Sequence, residues 1–591
     1  MTECHPYRGE SRKLILSMDL GTTYSGVSYS ILESGAVPII NSVTRYYEGQ
    51  PHGDSKTPTV LLYNKDGNLH SAGEGAMNVD SGSANEADRK GQIKFKLHVK
   101  CTSPPLDIPP LSNLKDIVML FSDFYKYLYD CASSAICTTG CLSESSWEEI
   151  AHDIHFILAH PNGWEGKEQA MLRDAMVKAQ LIPDDDEGHA HVSFVTEGEA
   201  SLHFCLAQGI PMSTPIKEGI VIVDAGSGTI DISTYTRLGN TKKSFEEISV
   251  LQCRLAGSIF VTHNASCYFA ATLRGTQYAG DIKCISELFD KAPKTQFRNP
   301  REPCYILFSS MRDTDPKLNV HAATVARFFE PSLNAIKKTL DEVRTSCKKH
   351  ISNIFLVSSF GGRNYLYDEM KLHLSSAGIE LWHPEKPLNK AVSEGAISFY
   401  LDHFVRSRIS RYIYGSKMYT PFNREDLEHR RCADKTFVAA NGKTSLDNQF
   451  DIILSKDVRM SEETEFRKSY FKYAEALAKL STIEDEIIYY RGTCKTPRWM
   501  DTEEAMYRVL CSITADTREA ARTLELQHRP DGKVFYKLEY DVVLLFGYTE
   551  LKAFVSWKYK ASRRQLAWLS HILDFLMKPG PLGQREQVHT V

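Results

Sequence analysis

Over the first four hundred residues, short and almost unbroken apolar runs alternate with helical stripes. Leu14-Ile-Leu-Ser-Met18 and Ile220-Val-Ile-Val223 read as buried strands, and each ends on an aspartate, Asp19 and Asp224. A Gly/Thr-rich turn and a second strand-like run follow each, so both segments read as hairpins, the first with a third strand near Val37–Ile40. Thr57 to Tyr63 reads as another strand, closed by the turn Asn64-Lys-Asp-Gly67. A polar loop with some helix is expected from Gly73 to Gly91, and a Pro-rich connection from Pro104 to Pro110. Ile117, Leu120, Phe121, Phe124 and Leu128 form a helical stripe. Ile154 to Ala159 reads as a strand, followed by a helix from about Glu165 to Gln180, an exposed acidic loop over Pro183 to Gly188, and a strand from Val192 that runs into a helix ending near Ala207. Val325, Phe328, Leu333, Ile336, Leu340 and Val343 continue the helical pattern, with Pro331 expected to kink or break it. Asn353 to Arg363 reads as a strand, a small-residue turn and the start of a helix. Strands alternating with helices in this way imply an α/β architecture.

Beyond about Gly415 the pattern turns β-rich. Phe450 to Ser455, Val534 to Phe546 and Leu551 to Trp557 are crowded with β-branched and aromatic residues, and Arg564 to Met577 reads as one amphipathic helix. The domain reading is a disordered N-terminus over residues 1–12, an α/β domain over 13–415 and a smaller β-rich domain over 416–591. A chain of 591 residues exceeds what one hydrophobic core supports. Hydrophobic content of 42% and charged content of 24% are those of an ordinary globular protein. A net charge of −4 gives no electrostatic reason to expect a nucleic-acid partner. The polar start lacks a signal-peptide core, and no apolar run reaches the roughly 20 residues that span a bilayer. The expected location is the cytoplasm or nucleus. Fourteen cysteines occur without a CxxC pair, so reduced thiols are expected rather than a zinc site. His189 and His191 beside the acidic loop read as solvated side chains, not metal ligands.

The doubled hairpin carries the candidate chemistry. Glycine in a strand-to-strand turn lets backbone amides converge on phosphate oxygens with no Cβ in the way, a role suited to Gly21, Gly226 and Gly228. Thr22, Thr23 and Thr229 add hydroxyls at the same turns, and Asp19, Asp224 and Asp231 are hard oxygen donors able to hold Mg²⁺ directly or through its waters. Two such turns facing one another across a cleft would grip a nucleoside triphosphate from both sides.

These residues resemble those of the actin-like ATPase superfamily and, within it, the 70-kDa heat-shock proteins, in particular their divergent fungal branch. Met18-Asp-Leu-Gly-Thr-Thr-Tyr-Ser25 resembles the first phosphate motif, and Val223-Asp-Ala-Gly-Ser-Gly-Thr-Ile-Asp231 the second. Phe156 to Pro161 with Gln169 is similar to the connecting segment, Val195 to Ser201 to the element that ends it, and Ile354 to Leu366 to the adenosine motif. The resemblance implies an actin-like fold with duplicated ribonuclease-H-like lobes around a nucleotide cleft. It implies ATP or ADP with Mg²⁺ as ligand. Asp19 and Asp224 would hold the metal, and Lys96, Glu197, Asp224 and Asp231 would be the catalytic set, with Lys94 close enough to compete for the lysine's role. The nucleotide contacts would be Gly21, Thr22, Thr23, Tyr24, Gly226, Ser227, Gly228, Thr229, Ser359, Gly361, Gly362 and Arg363.

Two departures bear on this. Ser227 replaces a glycine of the second turn, and Ser358 and Ser359 stand where the adenosine motif carries paired glycines. The junction Arg411 to Pro421 has no apolar, acidic linker, a full helical lid is missing, and the chain end lacks the acidic tail that cochaperones read. The expectation is a monomeric ATP-binding, slowly hydrolysing protein that acts through protein partners or clients. The alternative is a pseudo-ATPase scaffold or nucleotide sensor. A third reading is a small-molecule kinase on the same fold, for which no substrate motif speaks.

Overall fold

The structure is a computed structural model. It describes residues 6–565 except 45, 47–55, 78–89, 100–105, 107–110, 112–114, 139–142, 209–217, 240–243, 302–303, 308–316, 385–387, 462–463, 548–549 and 560–561. The chain is mixed α/β and divides into two compact units, Met1–Ile409 and Ser410–Val591.

Two sheets in the first unit repeat one plan. In the first, the hairpin Lys13–Asp19 and Tyr24–Leu32 is antiparallel, Asn41–Ser42 adds outside its second strand, and Ile154–His160 and Val192–Thr196 add in parallel beyond its first. In the second, the hairpin Gly219–Ala225 and Ile230–Arg237 takes Phe245–Glu247 on its outer side, and Ile351–Val357 and Glu380–Trp382 in parallel on the other. The order is 3-2-1-4-5 both times. The first strand of each hairpin is thus the central strand, its residues buried on both faces, which is why those two segments read as unbroken apolar runs. One core packs Phe95, Phe121, Phe124, Phe156 and Phe194 around the first sheet, and another packs Phe269, Phe289, Phe328 and Phe329 around the second.

Two helices join the sheets. Ala391–Asp402 lies on the first sheet, where Ser17 Oγ donates to Ser393 O at 2.7 Å and Ser28 Oγ to Ser393 Oγ at 2.9 Å. Glu197–Ala207 lies against Gly219–Ala225 and buries ten of its residues. The two helices pack closely at Gly395, where an added Cβ would stand 2.6 Å from the Ala200 carbonyl carbon and closer still to its oxygen.

Several local expectations give way to tertiary context. The helix Ala322–Ser346 runs through Pro331 without breaking, because Phe328, Phe329, Ser332 and Leu333 are buried on both sides of it. The third strand falls at Asn41–Ser42 rather than Val37–Ile40, and Val37 and Ile39 are exposed. The acidic loop is capped into a helix, Asp186–Ala190, by Asp185 Oδ1 accepting the Gly188 amide at 2.7 Å. Of the N-terminus expected to be disordered, Tyr7 is tied by main-chain bonds to Gly35 and Ala36 at 2.9 and 2.8 Å. Residues 1–5, the Pro104–Pro110 connection apart from Leu106, and most of the Gly73–Gly91 stretch lie outside the described residues.

The second unit holds two five-stranded sheets. One runs Thr436–Val438, Thr444–Leu454, Ile413–Pro421, Thr482–Tyr490 and Tyr507–Asp516. The other runs Glu465–Ala474, Val534–Gly547, Glu550–Tyr559 and Ser562–Gln565, with Gln527–His528 beside Val534–Gly547. Leu454, Ile483, Ile487, Leu538, Val542 and Val555 make its shared core. Arg564 and Gln565, expected to open a helix, pair as strand with Trp557 and Ser556, and residues 566–577 lie outside the described residues.

Candidate functional site

Both central strands deliver their terminal aspartate to the same place. Asp19 ends Lys13–Asp19 beside Ala159, and Asp224 pairs with Asp231 across the second hairpin. All three are buried. The turn after each strand then meets the other: a Cβ on Gly228 would overlap Thr22 Oγ1 and stand 3.1 Å from Thr22 Cβ and Leu97 Cδ2. Gly21 has its own constraint, since a Cβ there would run into the Tyr24 carbonyl. Carbonyls of the second turn are occupied by the N-terminus of the helix Ser258–Thr272, with Ser258 N to Gly226 O at 3.2 Å, Ile259 N to Ser227 O at 3.0 Å and Gly257 N to Gly228 O at 3.2 Å. Among the described residues the amides of Gly21, Thr22, Thr23, Ser227, Gly228 and Thr229 donate to no protein carbonyl. Two turns with unengaged amides, in contact through Thr22 and Gly228, have the backbone chemistry that could hold an anion.

The charged groups around the two turns are tightly tied. Glu197 opens the helix that follows Val192–Thr196, and Lys96 Nζ donates to its Oε1 at 2.7 Å, both side chains nearly sealed from solvent. Burial acts to lower the Lys96 pKa, but Glu197 and Asp19, with Asp231 behind them, outweigh it and raise it. The Lys96 ammonium also lies 5.6 Å from the Trp164 ring centroid. Lys56 Nζ donates to Asp19 Oδ2 at 2.7 Å. Ser201, one helical turn past Glu197, donates to Asp224 Oδ2 at 2.6 Å. Burial and then the charge of Glu197 push the Asp224 carboxyl up to about 7, against the hydroxyls of Ser201 and Ser358. Asp231 accepts the Asn162 amide on Oδ1 at 2.7 Å, while its buried Oδ2 has no hydrogen-bond partner of good geometry. Burial, Glu197 and Asp224 push Asp231 up to about 8.

The remaining expected contacts divide. Val357, beside Asp224, leads into the turn Ser358–Gly361, and Ser358 takes a φ of 67°, the left-handed value that glycine adopts without cost. Ser359 is exposed, Gly361 faces Leu356, and Gly362 faces Leu388 and His383. Tyr24 is 54% exposed at the rim. Arg363 belongs to a neighbouring basic group with Lys94 and Lys294, all drawn to the one carboxylate Asp290, to which Lys294 and Thr262 donate. Burial lowers the pKa of all three cations there. Lys94 and Lys96 therefore serve different places.

Sequence reasoning missed Lys56, Asn162, Ser201, Asp290 and Lys294. Ser201 ends the element Val195 to Ser201 and Asn162 adjoins Phe156 to Pro161, so both lay at motifs that were read. Lys56 carries no local signal at all. No protein-family model matches the chain, and no curated protein matches it.

As donors for a divalent metal the aspartates do not fit. One oxygen of Asp19 is held by an ammonium, one of Glu197 by another, one of Asp224 by a hydroxyl and one of Asp231 by an amide. Among the described residues, no group of three or more carboxylate, imidazole or thiol side chains is close enough to hold a metal ion. The same residues suit an anion with protons and ammonium groups around it.

Proposed function

We propose that the first unit binds a nucleoside triphosphate, ATP by its sequence resemblance, with the phosphates in the cradle between the Gly21–Thr23 and Ser227–Thr229 turns. The observation that carries this is the meeting of the two turns at Thr22 and Gly228. The repeated 3-2-1-4-5 order supports an actin-like fold of two ribonuclease-H-like lobes, since in open α/β sheets ligands sit beyond the carboxyl ends of the central strands. Lys96 would neutralise charge on the terminal phosphate, and the basic group of Lys94, Lys294 and Arg363 would favour the anion over water. Asp231 would serve as proton acceptor for an attacking water, a reading supported by its buried Oδ2, which has no hydrogen-bond partner of good geometry, and by its raised pKa. Slow hydrolysis coupled to protein–protein interaction is the resulting reading, in keeping with a heat-shock-like protein. The occupation of Asp19 and Glu197 by lysines favours a second reading, binding without turnover. No helix among the described residues is long and apolar enough to cross a membrane.

Calorimetric titration with ATP tests the binding. One site per chain is expected, weakened at least about tenfold by Gly228→Ala and by Lys96→Met, a loss of about 1.4 kcal/mol. No heat at millimolar ATP sinks the reading. Phosphate release separates the two outcomes: hydrolysis abolished by Asp231→Asn supports turnover, and its absence in the wild type supports binding alone.

A further inference from the structure

We infer that Lys56 takes the place of the divalent metal at Asp19, so that the site accepts its triphosphate without a metal ion. The inference rests on the nucleotide reading above.

Lys56 is not a loose surface lysine. The residues after it, Thr57–Pro58, pair with Ser25 and Tyr24 directly behind the first turn. Thr59 N then donates to Thr23 O at 2.8 Å, and Ser25 Oγ and Thr59 Oγ1 share a bond of 2.8 Å. That pairing fixes the main chain at Lys56 beside the cradle and aims its ammonium at Asp19, with only 4% of the Asp19 side chain and 21% of the Lys56 side chain exposed. An ammonium is a compact point charge able to bind phosphate oxygens, and three hydrogens leave it donors to spare after one goes to Asp19.

A metal at Asp19 would have to displace this ammonium. Breaking a buried pair leaves a charge without its partner, a penalty that the entering ion must first overcome. Mg²⁺ also demands near-ideal octahedral oxygen geometry, whereas each nearby carboxylate already spends an oxygen on a protein donor. With Lys56 on Asp19 and Lys96 on Glu197, the cationic charge that phosphate requires is already built into the chain.

The test is ATP titration of the full chain, in Mg²⁺ buffer and again in EDTA, for the wild type, Lys56→Met and Lys56→Arg. The wild-type Kd is expected to agree within about threefold between the two buffers. Lys56→Met should bind at least about tenfold more weakly in EDTA and recover most of that in Mg²⁺, because the freed Asp19 can then take the metal. Lys56→Arg, which keeps the charge, should still bind in EDTA. A wild type that loses tenfold or more in EDTA overturns the inference and leaves nucleotide binding standing. So does a folded Lys56→Met that matches the wild type in EDTA. Absence of binding in either buffer brings down the nucleotide reading, and this inference with it. Thermal unfolding of each variant identifies any that does not fold, and the wild-type comparison decides the matter without them.

Discussion

Gly395→Ala is expected to destabilise the first unit by about 3 kcal/mol, at the upper end of what overpacking costs. A methyl group there would stand 2.6 Å from the Ala200 carbonyl carbon and 3.2 Å from its Cα, and nearer still to the oxygen. Those are backbone atoms of a facing helix, so no side chain can rotate out of the way. The better helix propensity of alanine returns at most about 1 kcal/mol, too little to offset the clash. Helices Ala391–Asp402 and Glu197–Ala207 must therefore separate. Neither is free to do so: Ser393 is bonded to Ser17 and Ser28 of the first sheet, and Gly198 is pressed on Ser233 of the second and on Asn162, just past the first-sheet strand Ile154–His160. Because Glu197 and Ser201 ride on the displaced helix, ligand binding should weaken along with stability. Thermal unfolding and ATP titration of the same variant check both effects. A melting temperature within about 1 °C of wild type would show that the contact is softer than its geometry indicates.

What could be read from the sequence follows from how local each cause is. A central strand buried on both faces leaves an unbroken apolar run, and a turn that must admit no Cβ leaves a glycine, so Leu14–Asp19 with Gly21 and Ile220–Asp224 with Gly226 and Gly228 were visible. The α/β class followed from the same alternation. Lys56 was invisible because its role depends on a strand pairing that brings it to a residue thirty-seven positions earlier. Ser201 and Asn162 act on aspartates of the other sheet, at separations of twenty-three and sixty-nine. The break expected at Pro331 failed for the opposite reason. A local rule about one missing amide was outweighed by buried neighbours on either side. The serines of the adenosine-like turn also need their surroundings to be understood: Ser358 accepts a glycine-like φ and offers Asp224 a hydroxyl.

Glu247 is expected to contribute stability to the first unit that is lost as pH rises from about 4.5 to about 7, a slope opposite to that of the buried His155, His203 and His403, whose pKa values burial lowers. Glu247 is 3% exposed and accepts the Ile409 amide on Oε2 at 3.0 Å. Burial pushes its carboxyl from 4.5 up to about 7, with Arg408 and the Ile409 amide opposing. Arg408 does not cancel the burial; its Nη2 donates to both carboxylate oxygens of Glu199 at 2.8 and 2.9 Å. A folded-state pKa above the unfolded one means that the native protein binds the extra proton between the two values. The stabilisation is then complete below the unfolded pKa and disappears as pH passes the folded one. At 1.36 kcal/mol per pKa unit the shift corresponds to about 3 kcal/mol. Asp224 and Asp231 are raised as well and add slope of the same sign. Relative to wild type, Glu247→Gln should therefore lose less stability, or gain more, between pH 5 and 7. Urea unfolding of the first unit at pH 5, 6, 7 and 8, at fixed ionic strength, measures this, followed by hydrogen exchange in its central strands so that the second unit does not blur the transition. If wild type and Glu247→Gln share one slope, Glu247 is ionised in the folded state at neutral pH and Arg408 is serving both carboxylates.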